Sequence, residues 1–215
     1  EVRRQRQMCI RDRHMSDPFV TKNILKWYDL NKRSLPWRKN VSKEKRQYNT
    51  LISEFMLQQT QVATVIPYFN KFVKEIPNIK KLASVDNKKL IKLWEGLGYY
   101  SRARNLKKAA QSVIKNFNGV IPDNFDDLKS LSGIGDYTAN AILAIAFNKP
   151  YIPLDGNVER IIKRYLYLKK EKEIQKENLI EKKSILGFSN RSSDYAQALM
   201  EFGALTVSYT HLRAH

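Results

Sequence analysis

The chain has 215 residues, of which 42% are hydrophobic, and it carries a formal net charge of +18 at pH 7. This length allows one large domain or two small ones, and the charge favours a polyanionic partner such as nucleic acid over a basic surface that serves only solubility. The single cysteine, Cys9, excludes a disulfide framework or a cysteine metal site within the chain, and no apolar run reaches the roughly 18 residues of a membrane span.

The histidines narrow the chemistry further. His14, His211 and His215 all lie near the ends, which leaves the body without a Ser-His-Asp triad or a His-ligated zinc site. Any reaction must therefore use carboxylates, amides, tyrosine, lysine or arginine. Since no secretory signal is visible, we expect a cytoplasmic, nucleoid-associated protein.

Both ends lack the apolar periodicity of the rest of the chain. Residues 1–14 and 207–215 resemble translated sequencing-adapter sequence, so we expect them to be non-native extensions of a body that runs from Met15 to Thr206. A disordered basic arm is the alternative for the first segment. The two ends contribute only +3 and +1 to the net charge, so the body is strongly basic without them.

The body is predicted to be all-α, because segments of helical length follow one another and strand alternation is nowhere sustained. Residues 39–48 are interpreted as a polar linker, and residues 169–183 as a solvated helix face or loop. The predicted helices are Thr21–Leu30, a helix capped by Thr50 and running through Met56, a helix beginning near Thr60, a helix capped by Asp86 and ending at Trp94, Ser101–Phe117, Phe125–Leu131, Asp136–Phe147, Gly156–Leu166 and Ala196–Leu205.

The segment Leu131-Ser132-Gly133-Ile134-Gly135 lies between two of these helices. Its glycines permit a positive φ and close backbone approach, and their amides at the mouth of the next helix form an anion site. Ile134 is expected to anchor the turn in the core. Many helix–helix turns contain two glycines, but together with the basic charge this one predicts a helix-hairpin-helix that grips the DNA backbone.

Two carboxylates are candidates for chemistry. Glu54 interrupts the apolar run LISEFML. In a cleft, desolvation would favour its protonated form and make it a general acid, whereas on an amphipathic surface it would be an ordinary solvent-facing residue. Asp155 precedes a helix and is either only an N-cap or also a carboxylate placed to stabilise a cation. Cleavage of an N-glycosidic bond needs such a pair, because the leaving purine takes a proton while the sugar becomes cationic.

Five segments occur in an order that resembles the MutY-type adenine DNA glycosylases of the helix-hairpin-helix, or endonuclease III, superfamily. They are LPWR from Leu35, SEFMLQQTQVATVIPYF from Ser53, WEGLGYYSRARNL from Trp94, LSGIGDYTANAI from Leu131 and LDGNVERI from Leu154. The resemblance implies a six-helix barrel over residues 44–150, with its hairpin at 131–135, and a second helical lobe formed from both termini, residues 15–43 and 151–206.

The same resemblance implies the activity and the partner. We expect a monomeric base-excision repair enzyme that hydrolyses the N-glycosidic bond of adenine mispaired with 8-oxoguanine or guanine in double-stranded DNA. The adenine must leave the base stack before it can react, so residues that wedge into the duplex are also expected.

The resemblance assigns a role to individual residues. Glu54 matches the acid that protonates adenine N7. Asp155 matches the carboxylate that stabilises the oxocarbenium ion, either directly or through a covalent sugar intermediate, and Tyr137 and Asn157 match supporting residues. The adenine-pocket residues implied are Trp37, Arg38 and Gln197. The DNA-binding residues implied are Gln58, Gln59 and Thr60 on the lesion side, an intercalating Tyr99, and Leu131, Gly133, Ile134 and Gly135 of the hairpin.

Tyr137 stands where bifunctional relatives of the endonuclease III type carry a lysine that forms a Schiff base. Tyrosine cannot form an imine. The nearest lysine, Lys129, lies eight positions earlier, on the other side of the hairpin. Those relatives also lack a glutamate matching Glu54, so the resemblance implies a monofunctional glycosylase that leaves an abasic site.

The chain departs from the family pattern at Val207. The family continues into a loop whose four cysteines hold a [4Fe-4S] cluster, and the first of them should fall at this position. Here there is a valine and no later cysteine, so the ligands of that cofactor are absent and no metal site is expected. We expect truncation, which also removes the C-terminal domain that senses 8-oxoguanine; a natural cluster-free variant is the alternative.

Two other functions stay open at this point. One is an endonuclease III-like glycosylase acting on another lesion, which Glu54 and Tyr137 both oppose. The other is a non-catalytic helix-hairpin-helix DNA-binding module, in which Glu54 and Asp155 would point apart or into solvent.

Overall fold

The computed structural model describes residues 18–168 and 176–207. Residues 1–14 and residues 208–215, where non-native extensions are expected, lie outside the described residues, as does part of the Lys/Glu-rich stretch. Within the described ranges every regular element is helical, which confirms the all-α prediction. No helix in these ranges is long and apolar enough to cross a membrane.

The α-helices of the described ranges are α1 Pro18–Asn31, α2 Lys43–Leu57, α3 Val62–Glu75, α4 Ile79–Ser84, α5 Asn87–Trp94, α6 Ser101–Asn116, α7 Phe125–Ser130, α8 Asp136–Phe147, α9 Gly156–Tyr165, α10 Lys176–Lys182 and α11 Ser192–Phe202. Short 3-10 helices occur at Pro36–Arg38 and Lys183–Leu186, and a π-helical turn at Gly203–Val207.

The chain forms two compact units. The central unit comprises Arg33–Phe147 and contains α2 to α8. The terminal unit comprises the described residues before Arg33 and from Asn148 onward, with α1 and α9 to α11. These boundaries differ from the ones drawn at residues 43 and 150 from the sequence, and Pro36–Arg38 consequently lies in the central unit.

Helix α2 begins earlier than predicted and lies at the middle of the central unit. Ser42 caps it by accepting a hydrogen bond from the Lys45 amide at 3.3 Å. The prediction of a linker over residues 39–48 is therefore wrong from Lys43 onward, and Thr50 is a buried interior residue rather than a cap. The polar first turns consist of good helix formers, so they continue the helix although they carry no apolar stripe. From residue 47 to residue 56 every side chain of α2 is buried.

Helices α3, α6 and α8 pack directly against α2, whereas α4 and α5 pack against α6 and α7 packs against α8. Asp86 caps α5 as predicted, accepting from the amides of Lys88 and Lys89 at 2.8 and 3.2 Å. The six-residue helix α4, capped by Asn78, was not predicted because its apolar pattern is too short to show a period. The largest fully buried side chains of this unit are Trp94, Phe55, Phe69, Phe72, Leu51, Ile52 and Met56.

The terminal unit joins the two ends of the chain around its own core. Helix α1 packs against α11, and α11 packs against α9. Arg191, at the start of α11, donates to both carboxylate oxygens of Asp29 on α1 at 3.0 and 2.6 Å. Trp27 and Phe202 pack edge to face, with ring centroids 5.1 Å apart. The fully buried apolar residues of this core include Val158, Ile162, Leu179, Leu186, Ala198 and Leu199.

Gly203 allows the end of α11 to approach the backbone of α9. A Cβ at this position would lie 2.5 Å from the carbonyl oxygen of Asn157, whereas a Cβ at Gly156 would meet nothing closer than 3.7 Å. We therefore expect Gly203→Ala to lower the free energy of unfolding by about 1–3 kcal/mol, because backbone cannot move aside cheaply. Gly156→Ala is the matched control and should be nearly neutral in thermal denaturation. Equal effects would show that the close approach is not under steric constraint.

Candidate active site

Glu54 lies in the interior of α2 and is 5% exposed. Its neighbours Ser53 and Phe55 are also buried, so the alternative of a solvent-facing glutamate is wrong. Burial of a carboxylate is costly unless the group is paired, hydrogen-bonded or protonated. A buried glutamate in the middle of a helix is therefore a candidate functional acid.

Of the eleven buried polar side chains among the described residues, five lie on α2, two on α8, three on α11 and one on α6, and α2 and α8 pack directly against each other. Tyr137, in the first turn of α8, is half-buried. The seven polar positions on α2 and α8 interrupt an otherwise apolar core. They are Gln47, Asn49, Thr50, Ser53 and Glu54 on α2, and Thr138 and Asn140 on α8.

The predicted hairpin connects α7 to α8 and is anchored as expected. Leu131 and Ile134 are 2% and 5% exposed, whereas Gly133 and Gly135 are exposed. Gly133 has φ +82°, and a Cβ there would lie 2.8 Å from Asn105 Cβ. The expectation of a positive φ holds for Gly133 but not for Gly135, which needs no left-handed backbone and has open space around its missing side chain.

Gln58, at the C-terminal cap of α2, connects this helix to the hairpin. Its Nε2 donates to the carbonyl oxygen of Gly133 at 3.5 Å and to the hydroxyl of Thr138 at 3.4 Å. The next residue, Gln59, is exposed and has φ 56°. Tyr99 has φ 48° and is 60% exposed. Both of the latter residues adopt a left-handed backbone that non-glycine residues rarely occupy.

Arg102 is a structural residue that sequence reasoning missed. It is 6% exposed, and its guanidinium donates to main-chain carbonyls at the C-terminal end of α2 and in the turn after α5. Burial lowers its pKa from the usual value, and Tyr99 opposes that shift. The signal was present in the helical period, because Arg102 lies four residues before Leu106 on the buried stripe of α6, whereas the exposed Arg104 does not.

Asp155 caps α9 and is half-buried. Its Oδ1 accepts from the amides of Asn157 and Val158 at 3.0 and 2.8 Å, and its Oδ2 accepts from Asn157 Nδ2 at 2.7 Å. Arg160 in turn donates to Asn157 Oδ1, which fixes the orientation of that amide. Burial raises the pKa of Asp155, while the hydrogen bonds from Val158 and Asn157 oppose the shift. The prediction that Asp155 is an N-cap is confirmed, and three hydrogen bonds fix the orientation of its carboxylate.

The three residues assigned to an adenine pocket are in different surroundings. Trp37 is buried in the central unit, where its ring meets Phe69 edge to face at 5.3 Å. Arg38 is half-buried and donates to the carbonyl of Arg33 at 3.4 Å. Gln197 is buried in the terminal unit, and its amide donates to Ser193 of its own helix at 3.0 Å.

The central unit contains most of the candidate residues, namely Glu54, Tyr137, Trp37, Arg38, Gln58, Gln59, Thr60, Tyr99 and the hairpin residues. The terminal unit carries Asp155, Asn157 and Gln197. The two candidate catalytic carboxylates thus belong to separate units of the chain.

Lys129 is engaged across the hairpin. Its ammonium lies 2.6 Å from the carboxylate of Asp136, the residue that precedes Tyr137. Both side chains of this ion pair are exposed to solvent. The reach of Lys129 to Asp136 also shows that its position before the hairpin does not by itself keep it away from Tyr137.

The described residues do not fit a [4Fe-4S] cluster. They contain no cysteine and no histidine, and no group of three or more metal-ligating side chains occurs among them. Cluster iron is held by cysteine thiolates, with histidine replacing them in some centres, so no ligand set is present in this part of the chain.

A family model described as HhH-GPD superfamily base excision DNA repair protein matches residues 52–186. The chain belongs to the HhH-GPD superfamily. Adenine DNA glycosylases of Buchnera aphidicola subsp. Acyrthosiphon pisum and of Rattus norvegicus are 44% and 40% identical to it over 187 and 190 residues. These matches cover 84% and 85% of this chain, but 51% and 37% of the relatives, so the chain spans about half of their length or less.

Two solved structures support the fold. A thermostable thymine-DNA glycosylase matches with a TM-score of 0.72 at 25% identity, over 86% of this chain and 84% of that one. An endonuclease III in non-covalent complex with DNA matches with a TM-score of 0.68 at 22% identity, over 87% and 84% of the two chains. The resemblance to MutY-type proteins and the helix-hairpin-helix glycosylase fold of this HhH-GPD chain are thereby confirmed.

The raised pKa of Asp155 predicts a pH dependence of stability. The protonated Asp155 carboxyl contributes to the free energy of unfolding. This contribution is fully present below the pKa of the unfolded state, near the ordinary value of 3.8, and is lost as pH rises through the pKa of the folded state. Because Asp155→Asn removes this ionisation, we expect the unfolding free energy of the wild type minus that of the variant to fall as pH rises. Urea denaturation over a pH series measures the difference. Asp86→Asn, at the exposed cap of α5, reports the cost of losing a capping carboxylate elsewhere. A difference that increases with pH would show that hydrogen bonding outweighs burial at Asp155.

Proposed function

We propose that this chain is a monofunctional DNA glycosylase that removes adenine mispaired with 8-oxoguanine or guanine. The observation that carries the proposal is the burial of Glu54 on a helix whose C-terminal cap contacts the hairpin. The similarity to adenine DNA glycosylases over most of the chain supports the same substrate. In this proposal the chain acts as a monomer on double-stranded DNA in the nucleoid, in keeping with its net charge of +18.

In the proposed reaction, Glu54 gives a proton to N7 of an adenine that has left the base stack. The C1′–N9 bond then breaks with its electron pair moving to the base, and water adds at C1′ of the sugar and loses a proton to the Glu54 carboxylate, which restores the acid. The half-buried Asp155 stabilises the cationic sugar, while Asn157 fixes its carboxylate. Tyr137 supports the same site, and Trp37, Arg38 and Gln197 are proposed to surround the adenine.

The hairpin is proposed to hold the DNA backbone through the exposed Gly133 and Gly135, with Leu131 and Ile134 anchoring it. Gln58, Gln59, Thr60 and Tyr99 are proposed to contact the bases next to the lesion. Because Tyr137, which cannot form an imine, stands where the resemblance places the Schiff-base lysine of bifunctional relatives, no strand cleavage accompanies base removal in this proposal.

We expect Glu54→Gln to lower the single-turnover rate of adenine removal by on the order of 10²-fold or more, because the amide cannot protonate the leaving base. The assay uses a duplex with adenine opposite 8-oxoguanine, divided into alkali-treated and untreated samples. The matched control is Glu44→Gln, which changes an exposed acid in the first turn of the same helix and should retain the wild-type rate.

Each outcome of that assay bears on the proposal. Alkali-dependent breaks that vanish in Glu54→Gln support a monofunctional glycosylase that uses this acid. Breaks without alkali, together with a borohydride-trapped complex that Lys129→Gln abolishes, would show a lyase. No breaks from a wild-type chain that circular dichroism shows to be folded would favour a binding-only module.

The hairpin proposal predicts different results for its two glycines. Gly133→Ala should destabilise the fold, because the new Cβ would meet Asn105 and Phe55. Gly135→Ala should keep the melting temperature, since nothing lies within 4 Å, yet weaken binding to mispaired and undamaged duplexes by the same factor. Fluorescence anisotropy at several salt concentrations measures the affinities. A loss confined to the lesion duplex would contradict a backbone-gripping role.

A further inference from the structure

Three exposed non-glycine residues of the central unit have a left-handed backbone; one is Asn118, a residue type that tolerates this conformation, and the other two are Gln59 and Tyr99. Gln59 has φ 56° and Tyr99 has φ 48°, and neither is a glycine. The left-handed region brings Cβ close to the following carbonyl, so such residues persist only where surrounding contacts fix them. A common contact that fixes both would link their positions.

Arg102 provides that contact. Its Nη1 donates to the carbonyls of Phe55 at 3.2 Å, Met56 at 2.7 Å and Gln58, and its Nη2 donates to those of Leu97 at 3.3 Å and Gly98 at 3.2 Å. The carbonyls immediately before Gln59 and immediately before Tyr99 are therefore held by one guanidinium.

The chemistry of arginine suits this arrangement. Its planar fork presents five N–H donors in fixed directions, whereas a lysine ammonium is a single point with three donors. The carbonyls at the end of α2 also carry the negative end of the helix dipole, which a buried cation stabilises. In addition, the guanidinium lies 5.4 Å from the ring centroid of Tyr99 and 5.6 Å from that of Trp94.

The same network extends to the hairpin. Gln58, whose carbonyl binds Arg102, donates through its amide to Gly133 and Thr138. One exposed amide side chain and one exposed aromatic ring thus have fixed backbones on either side of Arg102 and are connected to the proposed backbone-binding turn. An amide can hydrogen-bond to a base edge and an aromatic ring can stack on a base.

We propose that Arg102 is a positioning residue that presets Gln59 and Tyr99 to enter the base stack while the hairpin grips the backbone. This inference rests on the proposed function, because it assumes a duplex as the ligand. Arg102 itself is buried, so it acts through the two residues and not through contact with DNA.

The test uses 2-aminopurine placed beside the mispair, whose fluorescence rises when the base unstacks. We expect Arg102→Lys to bind an undamaged duplex like the wild type, but to lose most of the fluorescence change and to slow single-turnover base removal on the order of tenfold to a hundredfold. Arg104→Lys, an exposed arginine on the same helix, is the matched control and should change neither readout.

A double-mutant cycle separates positioning from simple destabilisation. If Arg102 acts through Tyr99, Arg102→Lys should have little further effect on unstacking in a Tyr99→Leu background. Additive losses, or unstacking by Arg102→Lys equal to that of the wild type, would overturn the inference. If Arg102→Lys does not fold, the cycle is run with Gln59→Ala and Tyr99→Leu, and independent, additive effects of these two would overturn it instead.

The proposed function fails separately. A wild-type chain that binds and unstacks the duplex but never releases adenine would reject the glycosylase and leave the role of Arg102 intact. A wild-type chain that releases adenine while Arg102→Lys unstacks normally would reject only this inference.

Discussion

Helix α2 is buried on every face from residue 47 to residue 56, and the arrangement of the central unit follows from that burial. A helix surrounded by α3, α6 and α8 cannot turn its polar residues to water, so Glu54 must lie inside the unit. Its polar start, from Lys43, lies towards solvent and supplies a capped first turn. Helix α2 thus has a solvent-exposed N-terminus, a buried carboxylate in its interior, and a C-terminus that contacts the neighbouring loops.

The C-terminus of α2 shows how backbone groups that a helix leaves unpaired are used. Its last carbonyls have no partner within the helix. Arg102 takes three carbonyls between Phe55 and Gln58, and its other nitrogen takes two from the turn after α5. A water-exposed helix end would leave these loops independent. The buried Arg102 guanidinium instead connects the two turns, and the side-chain amide of Gln58 connects them to the hairpin by donating to the carbonyl of Gly133.

Sequence pattern was sufficient where a local rule decides the structure. The 3.6-residue period predicted α6, a capping carboxylate predicted the starts of α5 and α9, and the hairpin glycines predicted the α7–α8 turn.

The sequence pattern was insufficient where tertiary packing decides the structure. The start of α2 has helix-forming residues but no apolar stripe, and α4 is too short to show one. The backbones of Gln59 and Tyr99 depend on Arg102, which no local rule includes. Glu54 was a candidate because it interrupts an apolar run, and Asp155 because it precedes a helix, but the sequence could not show the burial of the first or the three donors held by the second.

The two carboxylates differ in the donors that their positions offer. In a helix interior the amides are already bonded to carbonyls four residues earlier, so the backbone around Glu54 has no N–H to give a carboxylate. At a helix N-terminus the first amides have no such partner, and Asp155 takes two of them and a side-chain amide besides. The three donors held by Asp155 oppose the effect that burial has on the pKa of this carboxyl. The fold thus places one acid within a helix and the other at the N-terminus of a helix, where the backbone offers different donors to a carboxylate.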